Sequence, residues 1–335
     1  MSNLTLREEY YPHSANVRTR CYYLGDKLHN LDGPAKESFY RNGTLHVSSW
    51  YLGGSLHRNT SPAVEKFYTN GIPKSRQWYR YGERHRDDGP AEEHFYRSGA
   101  LALSGWYVNG KHHRLDGPAS EQYHETGELK TRIWYLNDKR HREDGPAEEV
   151  FYLNGSLKSR TWCQNGSCHR VDGPAIESFH ENGALQSYGW RTHGLLHRED
   201  GPANATFHKD NQLIFYEWYL HGKWHCPTGP SQEEFDLHGS TRYRTWHLNG
   251  EQHREDGPAY ELFYPNGTIR TREWSLNNGH HRLDGPAIEH FSLTGQRTTA
   301  TYYFNGMPVL KPEYQRLVAL AKLAATHKYT QEVSL

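Results

Sequence analysis

Aromatic, small and polar residues recur along this chain at one constant interval. A 28-residue unit recurs ten times, seven of its copies contain the segment H-R-x-D-G-P-A, and the His of this segment is taken here as position 1. Position 11 is always Phe or Tyr, and position 22 is Trp in nine repeats and Tyr302 in the tenth. The corner histidines at position 1 are His29, His57, His85, His113, His141, His169, His197, His225, His253 and His281. The tryptophans at position 22 are Trp50, Trp78, Trp106, Trp134, Trp162, Trp190, Trp218, Trp246 and Trp274.

Two Asn-Gly-like pairs divide each repeat, at positions 14–15 and 25–26. Asn-Gly between aromatic or β-branched runs is the strongest short signal for a β-hairpin, because a type I′ turn needs positive φ. The pattern predicts two antiparallel strands per repeat and no helix of ordinary length within a repeat. The predicted fold class is all-β: a single-layer antiparallel meander or solenoid of ten 28-residue hairpin repeats at 29–308. A partial repeat precedes it at 1–28, and a helical cap follows at 309–335.

The turns also predict a register. A two-residue turn at positions 14–15 pairs positions that sum to 29, so Ala at position 7 faces the Trp, and Glu at position 9 faces position 20. Glu149 then lies opposite Arg160, and such a pair of charges contributes about 0.2–1 kcal/mol. The second turn places each Trp beside the next corner His, as in Trp50 and His57.

The H-R-x-D-G-P segment resembles a set of acid–base or metal-binding residues, but its repetition favours a backbone corner. Pro is excluded from central strands except at bulges or kinks, and Asp and Gly favour turns. Histidines two strands apart are about 10 Å from one another, whereas zinc ligands must lie at about 2.0–2.3 Å from one ion. We therefore expect the Trp and His rows to form a structural ladder, with the His packed on Trp. No catalytic, cofactor-binding or metal-binding residue is predicted.

Composition narrows the functional classes. The 335 residues include 39 Lys plus Arg and 39 Asp plus Glu, so no net positive charge draws nucleic acid to the chain. The N-terminal segment has no apolar run typical of a signal peptide. Cys21, Cys163, Cys168 and Cys226 contain no C-x-x-C pair, which favours reduced thiols in a cytosol-like compartment. Cys163 and Cys168 could still pair across the second turn of their repeat.

Two repeats and the C-terminus depart from the pattern. The corner at His57 reads "HRNTSPA", and the corner at His225 reads "HCPTGPS". These are places where the array either changes curvature, touches a partner or has simply drifted. Residues 312–328 have apolar residues at helical spacing and predict a helix. It either caps the last strand edge or docks a partner.

The segments "FYLNGSLKSRTW" and "WYLNDKRHREDGPA" resemble the MORN repeat. They are closest to the MORN-like arrays of the YwqK antitoxin-like type and to H-R-x-D-G-P-A proteins of bacteria and large DNA viruses of amoebae. The resemblance covers about residues 10–308, although the 28-residue period is longer than the ordinary MORN unit. It implies a cytoplasmic location, or the host cytoplasm or virion if the source is viral.

The leading functional hypothesis is a non-enzymatic scaffold or protein–protein interaction module. The alternatives implied by the resemblance are an antitoxin or immunity-type neutraliser of a partner protein and a peripheral phospholipid-associated protein. The partner and the oligomeric state stay open. Candidate partner-binding residues are the basic side chains at position 18, beside an acidic row at position 9: Lys74, Lys130, Lys158, Arg242 and Arg270.

Overall fold

The computed structural model of the protein describes residues 4–304 and 306–332, and side chains of the C-terminal helix up to Leu323. The chain divides into two compact units, Met1–Cys168 and His169–Leu335. The first unit contains repeats one to five, and the second contains repeats six to ten followed by the helix.

In the described residues of the first unit, every regular element is a strand. Its strands are β1 Thr5–Tyr10, β2 Val17–Leu24, β3 Lys27–Leu28, β4 Lys36–Phe39, β5 Leu45–Ser49, β6 Tyr51–Leu52, β7 Ser55–Leu56, β8 Val64–Phe67, β9 Pro73–Gln77, β10 Tyr79–Arg80, β11 Glu83–Arg84, β12 Glu92–Phe95, β13 Leu101–Gly105, β14 Tyr107–Val108, β15 Lys111–His112, β16 Ser120–Tyr123, β17 Leu129–Ile133, β18 Tyr135–Leu136, β19 Lys139–Arg140, β20 Glu148–Phe151, β21 Leu157–Thr161, β22 Cys163–Gln164 and β23 Ser167–Cys168.

The second unit continues the same order of elements and ends in a helix. Its elements are β24 Ile176–Phe179, β25 Leu185–Gly189, β26 Arg191–Thr192, β27 Leu195–Leu196, β28 Asn204–Phe207, β29 Leu213–Glu217, β30 Tyr219–Leu220, β31 Lys223–Trp224, β32 Gln232–Phe235, β33 Thr241–Thr245, β34 His247–Leu248, β35 Glu251–Gln252, β36 Tyr260–Phe263, β37 Ile269–Glu273, β38 Ser275–Leu276, β39 Gly279–His280, β40 Ile288–Phe291, β41 Arg297–Phe304, β42 Met307–Val309 and α1 Lys311–Glu332.

The predicted fold class is confirmed: a long antiparallel meander of hairpins with one helix at its end. Each repeat contributes two strands to the main sheet, at positions 8–11 and 17–21. The predicted register is confirmed as well, since Glu149 lies opposite Arg160 within its repeat. The same Glu149 also lies opposite Arg132 of the preceding repeat. Positions 9 and 20 therefore share one row across the strands of each unit, in which position 9 is Glu in nine repeats and position 20 is Arg in five.

The first turn differs from the predicted two-residue type I′ turn. Tyr152 N–H donates to the Ser156 carbonyl at 2.9 Å, which makes a three-residue loop. Only its glycine, Gly155, has positive φ, at 80°. A β-bulge follows, because Phe151 pairs with Leu157 while Val150 pairs with Ser159. Beyond the bulge the pairing is the predicted one, and position 18 has no partner across the strands. The predicted register was therefore correct although the predicted turn type was wrong.

The second turn is the predicted type I′ turn, but it closes a hairpin of its own. Positions 23–24 pair with positions 27–28 as two-residue strands outside the main sheet, for example β14 with β15. In that hairpin Asn109 and Gly110 both have positive φ, at 49° and 77°. The pattern of one strand pair per repeat therefore missed this minor hairpin.

Replacing Gly110 by Val should lower stability by about 1–2 kcal/mol, because a β-branched residue is strained at positive φ. An added Cβ would meet nothing closer than the Glu83 Cβ at 3.9 Å, so the cost is conformational rather than steric. Gly110→Asn is the matched control, because Asn278 has φ of 62° at the same position of the ninth repeat. Chemical denaturation of both variants measures the difference, and an equal loss in both would contradict the turn assignment.

The tightest core positions are small residues rather than the aromatic rings. Position 7 has no exposed surface in ten repeats, and its residues are Ala35, Ala63, Ala91, Ala119, Ala147, Ala175, Ala203, Ser231, Ala259 and Ala287. In eight repeats the backbone N–H of the Trp donates to the carbonyl of the next of these residues, as from Trp106 to Ala119 at 2.7 Å. Trp78 is buried, but the other ladder tryptophans are only half-buried.

The helix α1 lies against the last repeat. The Tyr314 hydroxyl donates to the Arg282 carbonyl at 2.6 Å and accepts from the Gly285 N–H at 3.2 Å. Its ring lies 5.0 Å from that of Tyr302, which stands at the position of the missing tenth Trp. Tyr314 and Val318 are buried. Among the described residues, no helix combines the length and apolar composition needed to cross a bilayer.

Candidate functional site

The structural unit that repeats along each part of the chain is a stack of Arg on Trp. Arg at position 2 lies over the Trp of the preceding repeat, with Cζ 3.8–4.4 Å from the ring centroid in seven corners. In the corner that begins at His141, the distance from Arg142 to Trp134 is 4.1 Å. Such a cation–π contact is worth about 0.5–2 kcal/mol, depending on how far the cation is desolvated.

The same guanidinium closes the D-G-P bend. Arg142 Nε donates to Asp144 Oδ1 at 2.8 Å, and its Nη1 donates to the Pro146 carbonyl at 3.4 Å. The Arg142 guanidinium also lowers the pKa of the exposed Asp144 carboxyl. A Cβ added at Gly145 would lie 2.9 Å from Arg142 Cζ, which explains the glycine. The corner at His57 lacks Asp and Gly, yet Arg58 still lies 3.9 Å from the Trp50 ring.

The corner histidine has a different role from the predicted packing on Trp. The backbone pairing with Trp is as predicted, since His141 N–H donates to the Trp134 carbonyl at 3.1 Å. The imidazole, however, points to the turn of the minor hairpin. In eight repeats its Nδ1 accepts the N–H of position 25, as from Asn165 to His141 at 3.2 Å. Because Nδ1 accepts, the neutral ring carries its proton on Nε2. The prediction assigned the ring contact to the wrong residue of the H-R pair.

The acidic row at position 9 is not a free surface for a partner. Its carboxylates are mostly paired with position 20 or position 2, as in Glu261 with Arg244 at 2.6 Å, and the Glu261 side chain is only 6% exposed. The basic residues at position 18 lie at the bulge and are exposed. Arg242 pairs there with Glu234 at 2.9 Å, and Lys158 lies 5.5 Å from the Tyr152 ring. Their predicted role in partner binding stays a prediction.

One buried polar cluster departs from the repeat, around Glu92. Arg84 Nη1 donates to Oε2 at 2.9 Å, and His94 Nε2 lies 2.8 Å from Oε1. Gln77 and Tyr107 donate to the same carboxylate at 3.1 Å each. Burial raises the pKa of Glu92, but the hydrogen bond from His94 and the charge of Arg84 outweigh it and hold the pKa at about 2. This carboxylate joins the minor hairpins to one face of the main sheet.

This cluster predicts an acid-sensitive contribution to stability. The folded pKa of Glu92 lies below its ordinary value of 4.5, so the contribution is present above about pH 4.5 and is lost as the pH falls toward about 2. After allowance for solvent screening we expect about 1–2 kcal/mol. Glu92→Gln should remove that pH dependence, and the exposed Glu83→Gln should retain it. Denaturation series between these pH values test this, and an unchanged slope in Glu92→Gln would contradict it.

Shallow grooves lie between successive corners. The groove over Trp134 has a volume of about 520 Å³ and is bounded by the corners at Arg114–Gly117 and His141–Asp144. The corresponding groove over Trp246 has about 390 Å³. Among the side chains that the structure describes, no three from His, Cys, Asp or Glu converge to hold a metal ion. The Cys163 and Cys168 sulfurs are 3.7 Å apart across β22 and β23, and the two residues form no disulfide with each other.

No protein-family model matches this sequence, and no curated protein is significantly similar to it. The chain is similar to choline binding protein F from Streptococcus pneumoniae at 14% identity, over 91% of this chain and 99% of that chain, with a TM-score of 0.18. It is also similar to TcdB2-TccC3 without its hypervariable C-terminal region, at 11% identity over 90% of this chain and 17% of that chain, with a TM-score of 0.15. Similarities this low carry no conclusion about fold or function.

Proposed function

We propose that the protein is a non-enzymatic repeat scaffold, a MORN-like array whose D-G-P corners bind a protein partner. The observation that supports this proposal most is the exposure of aliphatic side chains at position 3, on the tip of the corner. Leu31, Leu115 and Val171 are 70%, 84% and 83% exposed. Single exposed aliphatic residues are ordinary, but these recur at one position of a repeated bend.

The corners are well suited to binding because they are pre-ordered. In most corners the Arg side chain links the bend to Trp, Asp and a backbone carbonyl, and in the corner of Leu31 the Asn30 amide donates to the Pro34 carbonyl at 3.3 Å. Little conformational freedom therefore remains to be lost on association. Successive corners are about 10 Å apart, twice the spacing of adjacent strands. Several weak contacts at that spacing would add through avidity.

The geometry offers little support for an enzyme. The described grooves repeat the same residues, whereas a catalytic site needs a distinct set of acid, base or nucleophile in one place. Glu92 has the most strongly shifted carboxyl pKa of the described residues, and its carboxylate is fully engaged by its neighbours. We therefore favour binding over catalysis.

Affinity capture with the full chain as bait tests the proposal. Leu31→Ser combined with Leu115→Ser removes two corner tips, and Leu153→Ser combined with Leu237→Ser is the matched control at the first turns, where these residues are 58% and 62% exposed. We expect the corner variant to lose at least about tenfold in captured partner, by the avidity argument, while the control retains it. Equal capture by both variants would contradict the proposal.

A further inference from the structure

Each corner that has Arg at position 2 binds the guanidinium group of that Arg. In seven corners the Arg Cζ lies 3.8–4.4 Å from the Trp ring centroid. In eight corners Nη1 donates to the Pro carbonyl at position 6, at 3.2–3.4 Å. An Arg at position 20 often adds a second cation, as Arg244 does 5.4 Å from the Trp246 ring. The repeats thus show which chemistry the corner accepts.

The corner over Trp218 lacks this internal ligand. Position 2 is Cys226 instead of Arg, and position 20 is Tyr216 instead of Arg. Trp218 is the only one of the nine ladder tryptophans that is followed by a corner without Arg. In the described part of the chain, no Lys or Arg lies over its half-exposed ring.

The space that the guanidinium fills elsewhere is open at this corner. A Cβ built on Gly145 would lie 2.9 Å from Arg142 Cζ, and one built on Gly257 would lie 2.8 Å from Arg254 Cζ. At the equivalent Gly229 the nearest atom is Cys226 Sγ, at 4.0 Å. The short Cys side chain therefore leaves the guanidinium position unfilled.

A carboxylate without an ionic partner borders the same place. Glu233 stands at position 9, opposite Tyr216. It follows Ser231 by two residues, and the Ser231 carbonyl accepts a hydrogen bond from the backbone N–H of Trp218. Its oxygens accept hydrogen bonds from the Tyr216 and Thr241 hydroxyls, at 2.9 Å each. Within the described residues no Lys or Arg nitrogen comes within ion-pair distance of it, unlike the paired Glu261 of the next repeat.

We propose that the corner formed by Trp218, Cys226 and Glu233 binds a guanidinium group from outside the chain, the arginine side chain of a partner protein. The indole face, the Pro230 carbonyl and the nearby carboxylate offer a planar cation one stacking surface and acceptors at its edge. In the fourth repeat, Arg132 lies 5.3 Å from the Trp134 ring and also bonds Glu149 of the fifth repeat, so one cation can contact both groups. The corner at Arg58 shows that the Asp is dispensable, since it too lacks one.

This inference deepens the proposed scaffold function and rests on it for the source of the arginine. It adds a specific site with a defined chemistry to an otherwise uniform row of corners. A partner whose arginine enters this corner would be fixed at one register along the array.

The test uses the indole N–H resonances of the full chain labelled with ¹⁵N-Trp, with Trp218→Phe to assign the resonance. The probe is the peptide acetyl-Gly-Arg-Gly-amide, and the same peptide with citrulline, a neutral isostere of arginine, is the control. We expect a saturable shift of the Trp218 resonance at about millimolar peptide, the strength of a single cation–π contact with few hydrogen bonds. The citrulline peptide should be at least about tenfold weaker.

Two matched variants make the result decisive. Cys226→Arg restores the internal ligand and should abolish the peptide-induced shift, whereas Cys226→Ser keeps the corner open and should retain it. No shift in the parent chain and in Cys226→Ser, or an equal shift in Cys226→Arg, would overturn the inference. If the peptide binds here while the corner-tip variants still capture the partner, the guanidinium site stands and the wider scaffold proposal fails.

Discussion

Replacing Trp134 by Ala is expected to lower the free energy of unfolding of the first unit by about 3 kcal/mol. This lies at the low end of the range for removing a large aromatic side chain, because the ring is half-buried rather than fully buried. The substitution also removes the stacking surface for Arg142 and Arg132, whose guanidinium groups lie 4.1 and 5.3 Å from the ring. Hydrogen exchange of the amides near the corner measures the local loss, which a repeat array need not share between its parts.

Two comparisons separate the stack from simple burial. Gln164→Ala, at an exposed position, should change stability by less than about 0.5 kcal/mol. In a double-mutant cycle, Trp134→Ala and Arg142→Met should show a coupling of about 1 kcal/mol. A loss at Trp134 no larger than that at Gln164, or a coupling near zero, would contradict the role assigned to the ring.

Replacing Ala119 by Leu should be nearly as destabilising, at about 3 kcal/mol. Ala119 has no exposed surface, and its carbonyl accepts the Trp106 N–H at 2.7 Å. Extra methylenes at such a site force the strands or the ring out of place, which places the cost at the upper end of the overpacking range. Chemical denaturation measures the change.

The matched control is Ala300→Leu, on an exposed strand position of the last repeat. It should change stability by less than about 0.5 kcal/mol, because the added side chain lies in solvent. If Ala119→Leu were tolerated as well as Ala300→Leu, the tight packing assigned to position 7 would be contradicted.

The sequence pattern was sufficient for the strand order and the register of the main sheet. The constant 28-residue spacing fixes which residues share a row, and the alternation of Glu149 and Arg160 agrees with the observed pairing. It was insufficient for the first turn, because Asn-Gly occurs both in a type I′ turn and in a three-residue loop that ends in a bulge. Because the bulge depends on the type of turn, the residue types alone did not predict that Lys158 lies at it.

The stacking of Arg on Trp was also missed, for a physical reason. In the pair H-R both side chains can contact an aromatic ring, and periodicity does not reveal which of the two faces it. The informative signal was the exception: Cys226 stands where every other corner that follows a ladder Trp has Arg. The one repeat in which Arg is replaced shows more clearly what the Arg contacts than the repeats that keep it.

The corners at His57 and His225 differ in whether they keep the stack of Arg on Trp. The corner at His57 loses Asp and Gly but keeps Arg58 on Trp50, so its stack is complete. The corner at His225 loses the Arg itself, and Tyr216 replaces the second cation. Of these two corners, only the latter leaves an aromatic face and a carboxylate without a cation, which is why we propose the guanidinium site there.

The Arg Nε–H spectrum of the full chain labelled with ¹⁵N-Arg tests most directly whether the corner arginines stack on the tryptophans. A guanidinium about 4 Å above an indole and bonded to Asp should give an Nε–H signal shifted upfield by the ring and protected from exchange, and Trp134→Leu should return only the Arg142 signal to its ordinary position. If the corner arginines all gave the shift and rapid exchange of free arginine, unaffected by the Trp substitution, the stacked corner would be refuted.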